Sequence, residues 1–338
     1  MSQRAEAGDE RSPAGPREVL GLRAAVAIIV GVVIGAGVFK APSMVASLAG
    51  SPSWMFGAWL LGGLVSLVGA LCYAELTTSH PHPGGDYHFL QLAYGRRVSL
   101  LFGWARLTVI TTGSVALLAF VFGDYLTAVL PLPGLGGPGS SAAYAALAVV
   151  ALSWLNLRGV ALGAGAQVWL TALEIAGLML VVLAAVAIAP SPDGSVGASG
   201  TAAATAAPSP AAFGLAMVFV LLTYGGWNEA AYISAELRDS RRNMVRALML
   251  SIALITGLYM VVAWAYWQGL GMQGMAKSDA IAADLLRRAF GPTGQTAISL
   301  MVAIAALTSI NATLIVGART AYALGRDWRA LHPLGRWD

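Results

Sequence analysis

The chain has a single cysteine, Cys72, and it lies in an apolar run, so there is no disulfide framework and no redox compartment to read. Charge is scarce too: 11% of the residues are Asp, Glu, Lys or Arg, against roughly 25% in an average soluble domain. The first 17 residues, MSQRAEAGDERSPAGPR, lack the apolar core and small-residue cleavage site of a signal peptide. Residues 1–21 read instead as a disordered, cytoplasmic tail. No Ser-His-Asp set, phosphate loop or HExxH motif occurs, so soluble-type catalysis finds no support, the chain reads as no enzyme, and no cofactor is expected. The net charge of +4 would suggest nucleic acid in a soluble protein. Here the position of each charge matters more than the sum, and no nucleic-acid partner is expected.

What the chain does have is apolar residues almost from end to end. They make up 57% of the sequence, with a mean hydropathy of +0.71. One buried core cannot account for that, whereas repeated apolar runs of about 20 residues read as membrane spans. Eight are expected, at 22–48, 54–78, 98–130, 141–157, 163–189, 212–236, 245–270 and 294–322. Residues 190–210 have the composition of a flexible loop. Arginines cluster before the first span and after the second, fourth, sixth and eighth. The opposite side holds only Lys40, Lys277, Arg287 and Arg288. The positive-inside rule then makes both termini cytoplasmic, in a multi-pass protein of the plasma (inner) membrane.

Within the first span the stretch GVVIGAGVFKAPS (31–43) puts three glycines, a lysine and a proline in the middle of an apolar run. A dinucleotide-binding loop is excluded, because no strand precedes it and no third glycine follows at the required spacing. Gly31 and Gly35 form GxxxG, which allows close helix packing, but that leaves Gly37, Lys40 and Pro42 unexplained. The other reading is a discontinuous helix, whose second half presents free N–H groups to an anion near the midplane. Transporters with inverted repeats break two corresponding helices. The sixth span supplies the second break, with Gly225-Gly226 in mid-span followed by Trp227, Asn228 and Glu229. A five-helix repeat puts breaks in spans one and six.

These residues resemble the amino acid–polyamine–organocation superfamily, in particular its L-type permeases. IGAGVF (34–39) is similar to the family's first-helix substrate motif. The stretch from YAEL through PHPGGDYHFL to AYG (73–95) resembles the link between helices two and three. YGGWNEAAYISAELRDSRRN (224–243) resembles helix six and its following loop, and NATLIVGARTAYALGRD (311–327) the end of helix eight. The resemblance covers nearly the whole chain. It implies an all-α transporter fold of two inverted five-helix repeats, working by alternating access as an exchanger or proton-coupled transporter of amino acids. The substrate carboxylate would meet backbone amides around Ala36, Gly37 and Val38. Its amino group would meet carbonyls at Ile34 and from Leu222 through Tyr224 to Gly225, with Gly35 and Gly226 also among the substrate-binding residues. Its side chain would lie against helices three, six and eight. A small or medium neutral amino acid is expected, from Ala36 and an apolar pocket. Trp227, beside the second break, has a gate role and a packing role open to it.

The chain also departs from that pattern. Ala36 stands where a serine is frequent, and Leu222 where L-type members often place an aromatic gate. In helix five, sodium-independent relatives commonly carry a lysine where this chain has Glu174. An intramembrane carboxylate usually marks an ion or proton path. Glu174 would take up a proton or recruit a cation together with Thr308 and Ser309; the alternative is a structural pair with Arg106. Glu229 can bias the site towards cationic substrates or make a structural hydrogen bond. Glu236 is expected to pair with the arginines of RDSRR, and Asp124 and Glu75 to sit near span ends. His80, His82 and His88 lie in a loop with no spacing that aims them together, so no metal site is expected.

Two five-helix repeats need ten spans, and the sequence offers eight. The reading is of a fragment, a truncated gene product or one piece of a split protein, with a further chain or segment supplying the missing helices. The competing reading is a non-transporting remnant or an assembly partner within the lipid bilayer.

Overall fold

The computed structural model describes residues 18–188, 207–278 and 280–335. The expected tail at 1–21 and loop at 190–210 therefore fall largely outside the described residues. Those described are helical, joined by turns, with one isolated parallel bridge between Leu20 and Leu237. A chain in hydrocarbon must satisfy its backbone polar groups within each segment, and helices do this with their own hydrogen bonds.

Seven helical stretches are long and apolar enough to cross a membrane, so the protein is a multi-pass membrane protein. In order the helices are α1 (Leu22–Val33), α2 (Ala41–Ala49), α3 (Pro52–Ser79), α4 (Asp86–Tyr94), α5 (Arg96–Ala105) and α6 (Thr111–Val129). There follow α7 (Gly136–Leu157), α8 (Val160–Ala187), α9 (Pro210–Tyr224), α10 (Ser240–Lys277), α11 (Ile281–Phe290) and α12 (Thr293–Asp327). The first expected span is the pair α1 and α2. The third is α5 and α6, joined through a π-turn at Arg106–Ile110.

Several expectations need correcting. The second half of span six, Trp227–Glu236, is a 3₁₀ helix. Glu229 and Glu236, seven apart and on one face if the segment were α-helical, are about a third of a turn apart at three residues per turn. The seventh span runs to Lys277, past Gly271, where φ of 68° interrupts the helix. Two short helices, α4 and α11, occupy connections that the hydropathy pattern reads as loops.

Helix α1 is at the centre, packed against α8, α10, α12 and the Trp227–Glu236 segment. Ile28, Ile29 and Val30 are fully buried there. Gly31 is what permits the approach: a Cβ at that position would collide with Gln167 Nε2, Thr308 and Thr171. By contrast α3 turns Leu64, Val65 and Val68 outward, the apolar surface a bilayer requires.

Candidate functional site

The first span is broken where the glycines are. Helix α1 ends at Ile34, which turns extended (φ −76°, ψ 105°), and Gly35 continues that path (φ −134°, ψ −159°). One 3₁₀ turn, Ala36–Phe39, follows, and α2 starts afresh after Lys40. Pro42 lies in the first turn of α2, where no intrahelical acceptor awaits its missing N–H. The Val38 N–H donates to the Gly35 carbonyl at 3.4 Å, and that of Lys40 to the Gly37 carbonyl at 3.1 Å. The N–H groups of Gly35 and Gly37 meet no acceptor among the described residues.

The second break is its counterpart. Helix α9 ends at Tyr224, Gly225 is extended, and Gly226 has φ of 108°, a conformation that needs glycine. Gly226 also stands against α1: an added Cβ would come within 2.9 Å of Val32 Cγ1. The Tyr259 hydroxyl of α10 ties the breaks together, sharing its proton between the Val33 carbonyl (3.3 Å) and the Thr223 carbonyl (3.0 Å). Ser309 of α12 donates towards the carbonyls of Gly31 (3.1 Å) and Ile34 (3.3 Å).

Between these elements lies a cavity of about 240 Å³. The first break contributes Val32 and Gly35, and α12 contributes Ser309 and Thr313. The third span supplies Arg106, Ile110, Thr111, Ser114 and Leu118, and the 3₁₀ segment supplies Glu229. The wall is thus more polar than the sequence suggests. A second cavity, about 510 Å³, lies between α6, α11, α12 and the Phe39–Lys40 turn, and Asp124 is in its wall.

Of the residues expected at the site, Gly35 and Ser309 line the smaller cavity. Ile34 and Val38 are buried beside it, Gly37 is exposed, and Ala36 belongs to the 3₁₀ turn. Leu222 is 71% exposed, and its carbonyl takes the Gly225 N–H at 3.2 Å. Tyr224 is buried, with its hydroxyl donating to the Trp59 carbonyl at 3.0 Å. Trp227 packs edge-to-face on Tyr73, with ring centroids 5.3 Å apart, and covers Gly69.

Glu174 is almost wholly buried on α8, and neither carboxylate oxygen has a hydrogen-bond partner among the described residues. The Thr308 hydroxyl donates instead to the Ile304 carbonyl at 2.8 Å. Two pairings are corrected. Arg106 pairs with Glu229 and not with Glu174, because the π-turn places it across from the 3₁₀ segment. Glu236 pairs with Arg319 of α12, Nε to Oε1 at 2.6 Å, with both side chains buried. The 3₁₀ winding holds it inside, away from the surface arginines.

Some participants were not picked out from the sequence. Asn156 donates to Asn311, which donates to Gln167 (2.8 Å each), and the Thr171 hydroxyl reaches the Ala27 carbonyl at 3.0 Å. The available signal was Gln167 and Thr171, one helical turn apart on α8, facing the Gly31 notch. On the arginine-rich side Asp86 accepts from Asn228 (3.4 Å) and Tyr232 (3.2 Å), and burial raises its pKa. His82 and His88 stack there with ring centroids 4.1 Å apart. Burial, then the neighbouring His88, push the His82 pKa down to about 4.

A family model described as amino acid permease matches residues 20–328. The chain is 30% identical to the human b(0,+)-type amino acid transporter 1 over 315 residues, covering 93% of this chain and 64% of that protein. It is 29% identical to the rabbit large neutral amino acids transporter small subunit 2, covering 92% of this chain and 58% of the relative. The mouse Asc-type amino acid transporter 1 is 28% identical, with coverages of 92% and 59%. The chain thus spans less than two thirds of the length of these curated relatives. The fold is similar to the crystal structure of MhsT in complex with L-phenylalanine, with a TM-score of 0.61 at 18% identity over 95% of this chain and 78% of that one.

Proposed function

We propose that this chain, which belongs to the amino acid permease family, carries the substrate site of a secondary transporter of neutral amino acids. The observation that supports it most is the meeting of two broken helices at one cavity, with the Gly35 and Gly37 N–H groups unspent. Those donors suit a carboxylate without a buried cation. Carbonyls at Ile34 and from Leu222 to Gly225 suit an ammonium, and those of Ile34, Leu222 and Thr223 retain a lone pair beyond the bond each accepts. Ala36, Val38, Tyr224, Gly226 and Trp227 complete the site as shape and backbone.

The same reading gives two inverted repeats that alternate access, with both termini cytoplasmic in the plasma membrane. Transport is ascribed to the whole protein. Coupling is assigned to Glu174, as a proton carrier or a cation ligand with Thr308 and Ser309. Its two unpartnered buried oxygens support this, because an ionised carboxylate left unpaired in the membrane is costly.

The test is uptake into proteoliposomes loaded with unlabelled amino acid. Labelled neutral amino acid should accumulate by exchange and be competed by other L-amino acids. Absence of exchange and of net uptake across the neutral series would overturn the proposal.

A further inference from the structure

Arg106 and Glu229 sit in the cavity wall as an ion pair, and the pair is incompletely used. Arg106 Nη2 holds Glu229 Oε2. Among the described residues no hydrogen bond engages Arg106 Nη1 or Glu229 Oε1, and Arg106 Nε is buried without a partner. The guanidinium is fixed from behind, its Cζ 4.2 Å from the centre of the Tyr232 ring. The π-turn that aims it into the cavity interrupts an otherwise α-helical span, a distortion that recurs at functional sites. Hydroxyls of Thr111, Ser114 and Thr313 continue the polar wall.

We propose that the substrate's side chain is a neutral hydrogen-bonding group, a carboxamide above all, read by Arg106 and Glu229 together. This rests on the proposed function, since it takes the ligand to be an amino acid with its carboxylate at the first break. The first break and the pair lie on different walls of one cavity, so a ligand anchored at the break can extend its side chain to the pair. A carboxamide matches what the pair has left. Its carbonyl accepts from the guanidinium, and its NH₂ donates to the carboxylate. A hydroxyl satisfies one of the two. An aliphatic side chain covers both and satisfies neither, and leaving desolvated polar groups unpaired weakens binding. A charged side chain must compete for one partner and strand the other. The cavity, about 240 Å³, suits an amino acid with a side chain of moderate size.

The test is ligand-induced thermal stabilisation of the purified protein with L-glutamine, L-asparagine, L-serine, L-leucine, L-lysine and L-glutamate. The carboxamides should bind at least tenfold tighter than leucine, with serine between them and both charged amino acids weaker. Leucine, lysine or glutamate binding as tightly as glutamine would overturn the inference while leaving an amino acid site in place. No stabilisation by any of them would overturn the underlying reading as well. The double variant Arg106→Met with Glu229→Leu removes both charges together and should bring leucine level with or ahead of glutamine. An unchanged preference in it would show that the pair does not read the side chain. If the double variant does not fold, the wild-type series alone decides.

Discussion

Two glycines four residues apart behave differently once their neighbours are known. Gly31 is a contact: Gln167, Thr308 and Thr171 occupy the space a methyl would need. Gly31→Ala should therefore cost about 1–3 kcal/mol through overpacking, read as a lower melting temperature. Gly35 is extended and has only Ser309 Oγ near, at 3.6 Å from an added Cβ, so Gly35→Ala should melt close to wild type. The GxxxG spacing was legible in the sequence; which glycine needed the space was not, because that depends on α8 and α12. The Arg106–Glu229 pair is nearly buried, with side chains 9% and 18% exposed. Removing one partner should cost roughly 3–5 kcal/mol, more than replacing both by apolar residues. Melting of Arg106→Met, Glu229→Leu and the double variant checks that order, and a double variant less stable than either single one would contradict it. Glu174→Gln should flatten the pH dependence of uptake at little cost to folding, since no partner is lost.

At the scale of elements, the two broken helices were readable because glycine pairs in mid-span are expensive in hydrocarbon and so imply a purpose. The 3₁₀ winding of Trp227–Glu236 was not readable. Apolar periodicity over ten residues does not separate three residues per turn from 3.6, so the Glu236 partner was misplaced. The π-turn at Arg106 was hidden for a similar reason, and with it the true partner of Glu229. The connection around α4 yields a pH prediction. With its folded pKa near 4 against an ordinary 6.5, His82 favours the folded state when neutral. That contribution is present above about pH 6.5 and is lost as pH falls through 6.5 towards 4. Asp86, whose pKa is raised by burial, pulls the other way. Wild-type melting temperature should therefore drop more steeply over that window than that of His82→Asn. Equal slopes would contradict the assignment.

For the whole molecule, hydropathy placed the seven helical stretches long and apolar enough to cross a membrane, and the order of motifs along the chain placed it in its family. Both follow from one-dimensional properties, run length and short local patterns. The wall of the cavity did not follow from them, because it is assembled from four spans and its polarity rests on pairings between helices distant in sequence. The proposed function depends on the first break binding an amino acid through its carboxylate. The most direct measurement compares thermal stabilisation of the purified protein by an L-amino acid with that by the corresponding amine lacking the carboxyl group. At a hundred times the dissociation constant the amino acid should stabilise by about 2.7 kcal/mol, and the amine at the same concentration should give no shift. An equal shift from the decarboxylated amine would mean that the free N–H groups at Gly35 and Gly37 do not hold the substrate, and the account would be wrong.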